Sequence, residues 1–381
     1  MATSTYKIAF VLDDSLDTPD GVQQYVLNVG KWFASLGHDV HYIVGETERT
    51  DISNVHSIGR NVKVRFNQNR MSVPLPVSKK KIRQLLEREK FDVLHVQMPY
   101  SPFLGGRVIK AAGPDTAVVG TFHIAPHSKL VHFANIGLKF LVGGSLDRYD
   151  EIISVSPVAQ DFARETFHIS SQVIPNTVDL KPFFSGRPYR GYEDTTNIVF
   201  MGRLVERKGC QYFLRAINRL RNEGKLPQNC RVLVCGKGPL DGQLKAYTKE
   251  HNLSNVVVFT GFVTESDKPS YLAASDVAVY PSTGGESFGI VLLEGMAASR
   301  GVVLGGDNPG YAGVLGERPE ALFDPTDEEL FAHKIHEYLS SSKLRKQACD
   351  WQQEFVRQFD IPNVADKILA VYNQALHKRR G

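Results

Sequence analysis

Apolar and polar positions alternate along this chain in a rhythm that repeats from end to end. A short apolar run is followed by a turn rich in Gly, Pro, Asp or Ser, then by a longer stretch whose apolar residues share one helical face. The first pattern is that of a buried strand, the second that of an amphipathic helix. Ile8 to Leu12 is predicted as a strand, and Gly21 to Leu36 as a helix with Val22, Tyr25, Val26, Val29 and Phe33 on its apolar face and Gly37 just beyond its end. Further strands are expected at Val40 to Val44, Val93 to Val96, Val118 to Phe122 and Glu151 to Val155. Helices are expected over Lys81 to Glu89, with Ser78 as N-cap, and from Ser156-Pro157 onward. Val173-Ile174 is a short strand. The stretch from Lys181 to Thr196 loses apolar periodicity, is rich in Pro, Gly, Tyr and charge, and marks a boundary.

The rhythm then restarts. Strands are predicted at Ile198 to Met201, Arg231 to Cys235, Val256 to Phe259, Asp276 to Tyr280 and Gly301 to Leu304, and helices over Gly209 to Arg221, Leu240 to His251 and Lys268 to Ala274. Strand–helix alternation in both halves gives an α/β fold class: two βαβ-type halves of roughly 180 residues in series, each with a parallel sheet.

Composition narrows this little. A length of 381 residues suits two domains of ordinary size, and 42% hydrophobic with 23% charged residues is normal for a globular protein. The net charge of +4 is too small to suggest a nucleic-acid partner, and none is expected. Cys210, Cys230, Cys235 and Cys349 show neither C-x-x-C nor metal-ligand spacing, and read as thiols in a reducing compartment. The first apolar run is too short for a signal segment, and no stretch approaches the ~20 apolar residues of a membrane span. The expectation is a cytoplasmic protein able to lie on a membrane surface.

Ligands of open α/β sheets bind beyond the carboxyl ends of the strands. The residues with chemistry gather there: Asp13 to Gly21, His123, Gly202 to Gly209, the loop Gly236-Lys237-Gly238-Pro239, and Ser282 to Gly289. The last of these follows a strand, turns on Gly284-Gly285, and enters an apolar stretch of good helix formers. That order presents free helix N–H groups to an anion, with Glu286 in the loop and Glu294 deeper in; a turn without function is the alternative. Arg203 and Lys208 lie between Gly202 and Gly209 and could neutralise a departing diphosphate, although a solvated basic turn has the same composition. His123 at a strand end suits a sugar hydroxyl or an ordinary loop. No D-x-D loop or G-x-x-x-x-G-K-[ST] loop is present, so Arg, Lys and helix N-termini are expected to handle phosphate charge without a metal or cofactor.

Taken together, Gly202-Arg203…Lys208-Gly209, Gly236-Lys237-Gly238-Pro239 and Glu286 with seven residues to Glu294 resemble the retaining glycosyltransferases of family 4, and the likeness covers essentially the whole chain. Pro19-Asp20-Gly21-Val22-Gln23, Thr121-Phe122-His123, Ile174-Pro175-Asn176 and Gly284 to Val291 are similar to the phosphatidylinositol mannosyltransferases within it. The resemblance implies a GT-B fold: two Rossmann-like domains facing each other across a cleft. An acceptor-binding domain would span 1–180, a nucleotide-sugar domain 181–357, and a terminal helix within 358–381 would pack back on the first.

Residue by residue, the resemblance implies that Arg203 and Lys208 bind the donor diphosphate and that Glu286 holds the sugar hydroxyls. Ser287, Phe288, Gly289 and Ile290 would line that seat, Glu294 would reach the ribose, and Gly21 and Gly236 would let loops approach the donor. His123 would sit by the sugar, and Asp20, Gln23 and His123 would meet the acceptor. His123, Arg203, Lys208 and Glu286 form the implied catalytic set. Asp20 stands where the family usually has a second glycine, and Thr177 where glycine is common.

Two basic stretches bear on the acceptor. Between Ser78 and Lys90 six basic residues (Lys79, Lys80, Lys81, Arg83, Arg88, Lys90) face two acidic ones. Ser128, His132, Asn135 and Lys139 share one helical stripe, beside Lys129 and opposite Leu130, Phe133 and Leu138. Each fits a helix lying on an anionic membrane, with Lys79, Lys80, Lys81, Arg83, Lys129 and Lys139 as membrane contacts, and each equally fits a solvated or internally packed helix. The leading expectation is transfer of a hexose, mannose from GDP-mannose, to a phosphatidylinositol-type glycolipid at the inner face of the cell membrane. The alternatives are a UDP-sugar-dependent enzyme of the same fold acting on a polysaccharide or soluble acceptor, and a non-catalytic sugar-nucleotide-binding module.

Overall fold

The computed structural model describes residues 5–17, 20–66, 69–75, 77–99, 101–123 and 144–381. Pro19, Lys129, Lys139 and the amphipathic stretch 128–142 lie outside the described residues. The chain divides into two compact units, Met1–Thr177 together with Ile361–Gly381, and Val178–Asp360. The division falls a few residues to either side of the expected 180 and 357.

The first unit contains β1 (Lys7–Leu12), α1 (Gly21–Ser35), β2 (Asp39–Val44), β3 (Val55–Ser57), β4 (Asn61–Phe66), β5 (Asn69–Pro74) and α2 (Lys79–Glu89). Then come β6 (Val93–Gln97), α3 (Leu104–Ala111), β7 (Ala117–Phe122), β8 (Glu151–Ser154), α4 (Pro157–Phe162) and β9 (Gln172–Val173). Its seven-stranded sheet has the order β3-β2-β1-β6-β7-β8-β9, with every pairing parallel.

The second unit runs through α5 (Lys181–Phe184), β10 (Thr196–Met201), α6 (Cys210–Asn222), β11 (Cys230–Cys235), α7 (Asp241–Glu250), β12 (Val257–Gly261) and α8 (Lys268–Ala273). It continues with β13 (Val277–Tyr280), α9 (Ile290–Ala298), β14 (Val302–Gly306), α10 (Pro309–Leu315), β15 (Leu322–Phe323), α11 (Glu328–Ser340) and α12 (Ser342–Phe355). Its six-stranded sheet is also parallel, in the order β12-β11-β10-β13-β14-β15.

Parallel strands covered on both faces bury successive side chains on opposite sides, which is why they appear in the sequence as unbroken apolar runs. In β1, Ile8, Phe10 and Leu12 enter a core with Tyr25, Val29 and Phe33 of α1, while Ala9 and Val11 enter the opposite one with Ile82 and Leu85 of α2 and Val108 of α3. The last helix, α13 (Ile361–Arg380), belongs to the first of these cores through Val364, Ala365, Ile368, Val371, Tyr372 and Ala375. Its basic C-terminus follows the helix dipole: Lys378, Arg379 and Arg380 pair with Glu151, Asp150 and Asp92 at 2.8, 2.8 and 2.6 Å.

Some elements carry no sequence signal of their own. The antiparallel β4–β5 hairpin and edge strand β3 were not expected. Nor was α3, whose first turn contains Gly105 and Gly106, poor helix formers. Tertiary contacts override that propensity: Asp13, at the end of β1, accepts hydrogen bonds from Gly105 N (2.8 Å) and from the Ser101 hydroxyl. Ser156 caps α4 as expected by accepting from Ala159 N at 3.1 Å, whereas Ser78 stands at the N-cap of α2 without a side-chain cap bond.

Tyr372 anchors α13 through a 2.7 Å bond between its hydroxyl and Nδ1 of the fully buried His95, whose Nε2 is 2.6 Å from Thr121 Oγ1. Tyr372→Phe removes the hydroxyl and strands a buried ring nitrogen, a change expected to cost about 1–3 kcal/mol. Urea unfolding followed by tyrosine and tryptophan fluorescence checks this.

Candidate active site

A cluster of charge stands at the carboxyl ends of β10 and β13 in the second unit. After Met201 the chain makes a short 3-10 turn, Glu206–Lys208, and reverses at Gly209 with φ +74°. A Cβ at Gly209 would run into the Pro281 carbonyl, so only glycine lets this turn lie against the loop after β13. A hydrogen bond from Thr283 N to the Arg207 carbonyl (2.9 Å) stitches the loops together, and Ser282 Oγ lies 3.1 Å from the same oxygen while its one hydrogen has the shorter path to Glu286.

Glu286 is placed between them. Its Oε1 lies 2.7 Å from Arg207 Nη1, 2.8 Å from Lys208 Nζ and 2.8 Å from Ser282 Oγ. Burial pushes this carboxyl up, but Lys208 and Arg207 more than offset it and hold it below the ordinary glutamate value. It is therefore an anion, with all of these contacts on one oxygen and Oε2 left for another partner. Asn308 steadies the loop by donating Nδ2–H to the Ser282 carbonyl (3.1 Å) while its own Oδ1 caps α10 at Tyr311 N (3.1 Å).

Just beyond, α9 starts at Ile290. Its N-cap, Gly289, has φ +122°, offers no side-chain cap, and no acidic residue occupies the first turn. The leading N–H groups of α9 thus present the positive end of a helix dipole. Phe288 turns away into the core, 4% exposed and edge-on to Phe359 at 5.7 Å, while Ser287 is half-buried. Glu286 and Glu294 do not share a helix: Glu286 stays in the loop and only Glu294 lies in α9. Glu294 is 2% exposed and pairs at 2.8 Å with Lys268 Nζ, which also pairs with Glu265 at 2.8 Å. Burial raises the Glu294 carboxyl despite Lys268. Burial lowers Lys268, but Glu294 and Glu265 outweigh it and its value rises. Gly236 brings the β11 loop against the β10 loop, where Gly202 N donates to the Cys235 carbonyl (2.9 Å) and Leu204 N to the Lys237 carbonyl (3.0 Å).

Arg203, singled out from the sequence, is half-exposed in the same loop as Lys208. Arg207, Ser282, Asn308 and Lys268 were not singled out. Arg207 lies within the loop Gly202 to Gly209, but nothing local in the sequence distinguishes it from a solvated arginine.

In the first unit, Asp20 is the exposed N-cap of α1 and Gly21 its exposed first residue. Gln23 is buried and donates to the Ser15 carbonyl at 3.2 Å, so its side chain braces the β1–α1 loop. His123 is 5% exposed, and Nε2 lies 2.6 Å from Gln97 Oε1. Gln97 Nε2 donates to the His95 carbonyl (3.3 Å), which fixes the amide orientation. Gln97 therefore offers His123 an acceptor, Nε2 carries the proton, and Nδ1 keeps a lone pair. On α2, Lys79, Lys80, Lys81 and Arg83 are exposed while Ile82 and Leu85 are buried. Among the described residues no helix is long and apolar enough to cross a membrane, and no group of His, Cys, Asp and Glu is arranged to hold a metal ion.

Two parallel-sheet units, one carrying a clamped carboxylate before an uncapped helix, define a GT-B glycosyltransferase, and comparison with known proteins bears this out. Residues 187–350 match the model of glycosyl transferases group 1, and residues 19–182 that of glycosyltransferase family 4. A phosphatidyl-myo-inositol mannosyltransferase of Mycobacterium tuberculosis is 30% identical over 96% of this chain and 96% of its own. Among solved structures, a Rickettsia africae glycosyltransferase superposes with a TM-score of 0.76 at 18% identity, covering 98% of this chain and 99% of that one. Anabaena HepE in complex with UDP-glucose gives 0.74 at 18%, covering 97% and 99%. The chain belongs to glycosyltransferase family 4 and is a hexosyltransferase.

Burial brings His95 and His123 down to about 3, against about 6.5 in an unfolded chain. Both are neutral in the folded protein, so the unfolded state binds more protons below that ordinary value. Their contribution to stability is complete above pH ~6.5 and is lost as pH falls towards the folded values, at up to about 1.4 kcal/mol per pH unit for each histidine. His123→Asn should lower the slope of urea-unfolding stability between pH 6 and 4 by that amount per unit relative to wild type.

Proposed function

We propose that this hexosyltransferase moves mannose from GDP-mannose to a phosphatidylinositol-type acceptor at an anionic membrane surface, with retention of anomeric configuration. The observation that carries the reading is the three-donor clamp on one oxygen of Glu286 beside the uncapped start of α9. Support for the substrates comes from the mannosyltransferase relatives, which match along nearly their whole length.

In this reading Glu286 Oε2 accepts from the sugar hydroxyls. Arg203, Lys208 and the N–H groups at the start of α9 take the charge of the diphosphate as the bond from the anomeric carbon to phosphate oxygen breaks. The acceptor hydroxyl attacks that carbon on the face the diphosphate leaves, and its proton passes to the departing phosphate oxygen. Arg207 remains on Glu286 when Lys208 turns to phosphate, so the carboxylate is never left without a cation. Glu294 and Lys268 stand beneath the nucleoside, and His123, its Nε2–H committed to Gln97, offers Nδ1 to a donor on the sugar or acceptor. Asp20 and Gln23 belong to the acceptor side, Asp20 by exposure and Gln23 by holding the loop.

Arg203→Ala or Lys208→Ala should lower kcat/KM by about a hundredfold or more, the usual effect of losing a stabiliser of developing charge. Arg207→Gln should leave GDP affinity within about threefold while lowering kcat. Unimpaired transfer in folded Arg203→Ala and Lys208→Ala would sink the mechanism. GDP at a hundred times its Kd should add about 2.7 kcal/mol of stability in a thermal-shift assay; stabilisation by UDP and not GDP would replace the donor with a UDP-sugar.

Replacing Lys79, Lys80, Lys81 and Arg83 together by Gln should abolish most sedimentation with phosphatidylinositol-containing vesicles. Wild-type binding to phosphatidylcholine vesicles at equal strength would remove the electrostatic membrane contact.

A further inference from the structure

An open groove of about 410 Å³ lies between edge strand β3 and α2, lined by His56, Ser57, Lys81, Gln84 and Arg88 over a floor that includes Leu85. Among the described residues no carboxylate lines it. Behind it runs a hydrogen-bonded series: Asp39 Oδ1 is 3.0 Å from His41 Nε2, and His41 Nδ1 is 2.8 Å from His56 Nε2, with the two ring planes parallel to within 5°. The proton positions follow from chemistry. The Asp39 carboxylate only accepts, so His41 carries its proton on Nε2 and accepts at Nδ1, and His56 must donate from Nε2. The nitrogen left over is Nδ1 of His56, a lone pair on the ring that lines the groove.

We propose that this groove binds a phosphoryl group, of a free organic phosphate or of a lipid headgroup, and that protonation of His56 at Nδ1 supplies the third cation beside Lys81 and Arg88. The counter-charge is already built in. An imidazolium at His56 is bonded through His41 to Asp39, so a proton gained at the groove is compensated from behind it. The charged groups around His56 come from every neighbouring element. His41 and Asp39 are on β2, Lys7 on β1 pairs with Asp39 and Glu89, and Lys81, Arg88 and Glu89 are on α2. Without a ligand, burial holds His56 below its ordinary value, joined by His41, Arg88 and Lys7 and opposed by Glu89. A bound dianion reverses that balance, because it favours the charged ring. The groove belongs to the first unit and the Glu286 cluster to the second; the proposal shares Lys81 with the membrane contact proposed above, and the sulfate titration tests it without that reading.

The test is a ¹⁵N-histidine NMR titration of the full chain, with and without 20 mM sulfate at ionic strength held constant by sodium chloride. Sulfate keeps its charge across the range, so any movement belongs to the protein. His56, identified by its loss in His56→Gln, should titrate about one pH unit higher in sulfate, equivalent to about tenfold tighter anion binding to the protonated form. Arg88→Gln, at an exposed position whose loss leaves Lys7 on Glu89, should shrink the movement and keeps the test available if His56→Gln folds poorly. A His56 midpoint that sulfate does not move, or one that moves equally in Arg88→Gln, overturns the proposal. Vesicle sedimentation at pH 5.5 and 7.5 separates the sources. A pH dependence on phosphatidylinositol vesicles that disappears in His56→Gln assigns the phosphoryl group to a lipid headgroup, and its absence alongside the sulfate effect assigns it to a free phosphate.

Discussion

The second unit is organised around one electrostatic constraint: Glu286 is largely withdrawn from water and must remain charged. An isolated carboxylate in that position would take up a proton, since burial disfavours its charge. Arg207 and Lys208 prevent this, yet they stand 79 and 78 residues away in sequence. They reach it because β10 and β13 are neighbours in register, Ile198 beside Val277 and Phe200 beside Val279, so that the loops after them emerge side by side. The turn at Gly209 and the bond from Thr283 N to the Arg207 carbonyl close the remaining distance. Sheet register, loop glycine and charge balance are three parts of one device, and the unshared oxygen of Glu286 is its product.

Glu294 shows what the same side chain becomes with different neighbours. One lysine compensates it in place of two cations and a hydroxyl, and its carboxyl moves up where that of Glu286 moves down. Lys268, shared with Glu265, keeps the pair buried at the side of α9. Eight residues therefore separate two environments, one carboxylate held charged by two cations and one raised by burial beside a single lysine.

What was legible in the sequence is what depends on local pattern. Strands covered on both sides show as apolar runs, and Gly37 and Ser156 mark helix ends by their own chemistry. The GT-B class followed from combined motifs, and the position of Glu286 in a loop before a helix followed from Gly284-Gly285. What was not legible depends on partners far along the chain. Helix α3 forms against the propensity of Gly105 and Gly106 because Asp13 holds its first turn. Edge strand β3 is a three-residue segment whose identity comes from pairing with β2. Arg207 looks like any charged turn residue until β13 is placed beside it. Glu286 and Glu294 are eight residues apart, yet Gly289, at φ +122°, sets the start of the helix between them.

The first unit carries the same lesson into the chemistry of a single ring. His123 ends β7, and its tautomer is set by Gln97, whose orientation is set by the His95 carbonyl; the His95 ring in turn is bonded to Tyr372 on α13. Each step is short, from 2.6 to 3.3 Å, yet together they link a strand end to a helix some 250 residues later in the chain. Burial keeps both histidines neutral, so these are bonds between uncharged groups whose directions matter more than their charge. The terminal helix consequently does more than cover apolar surface. It fixes the ring of His95, while the sheet on either side of β6 fixes the His95 carbonyl that orients Gln97 and so sets which nitrogen of His123 keeps a lone pair.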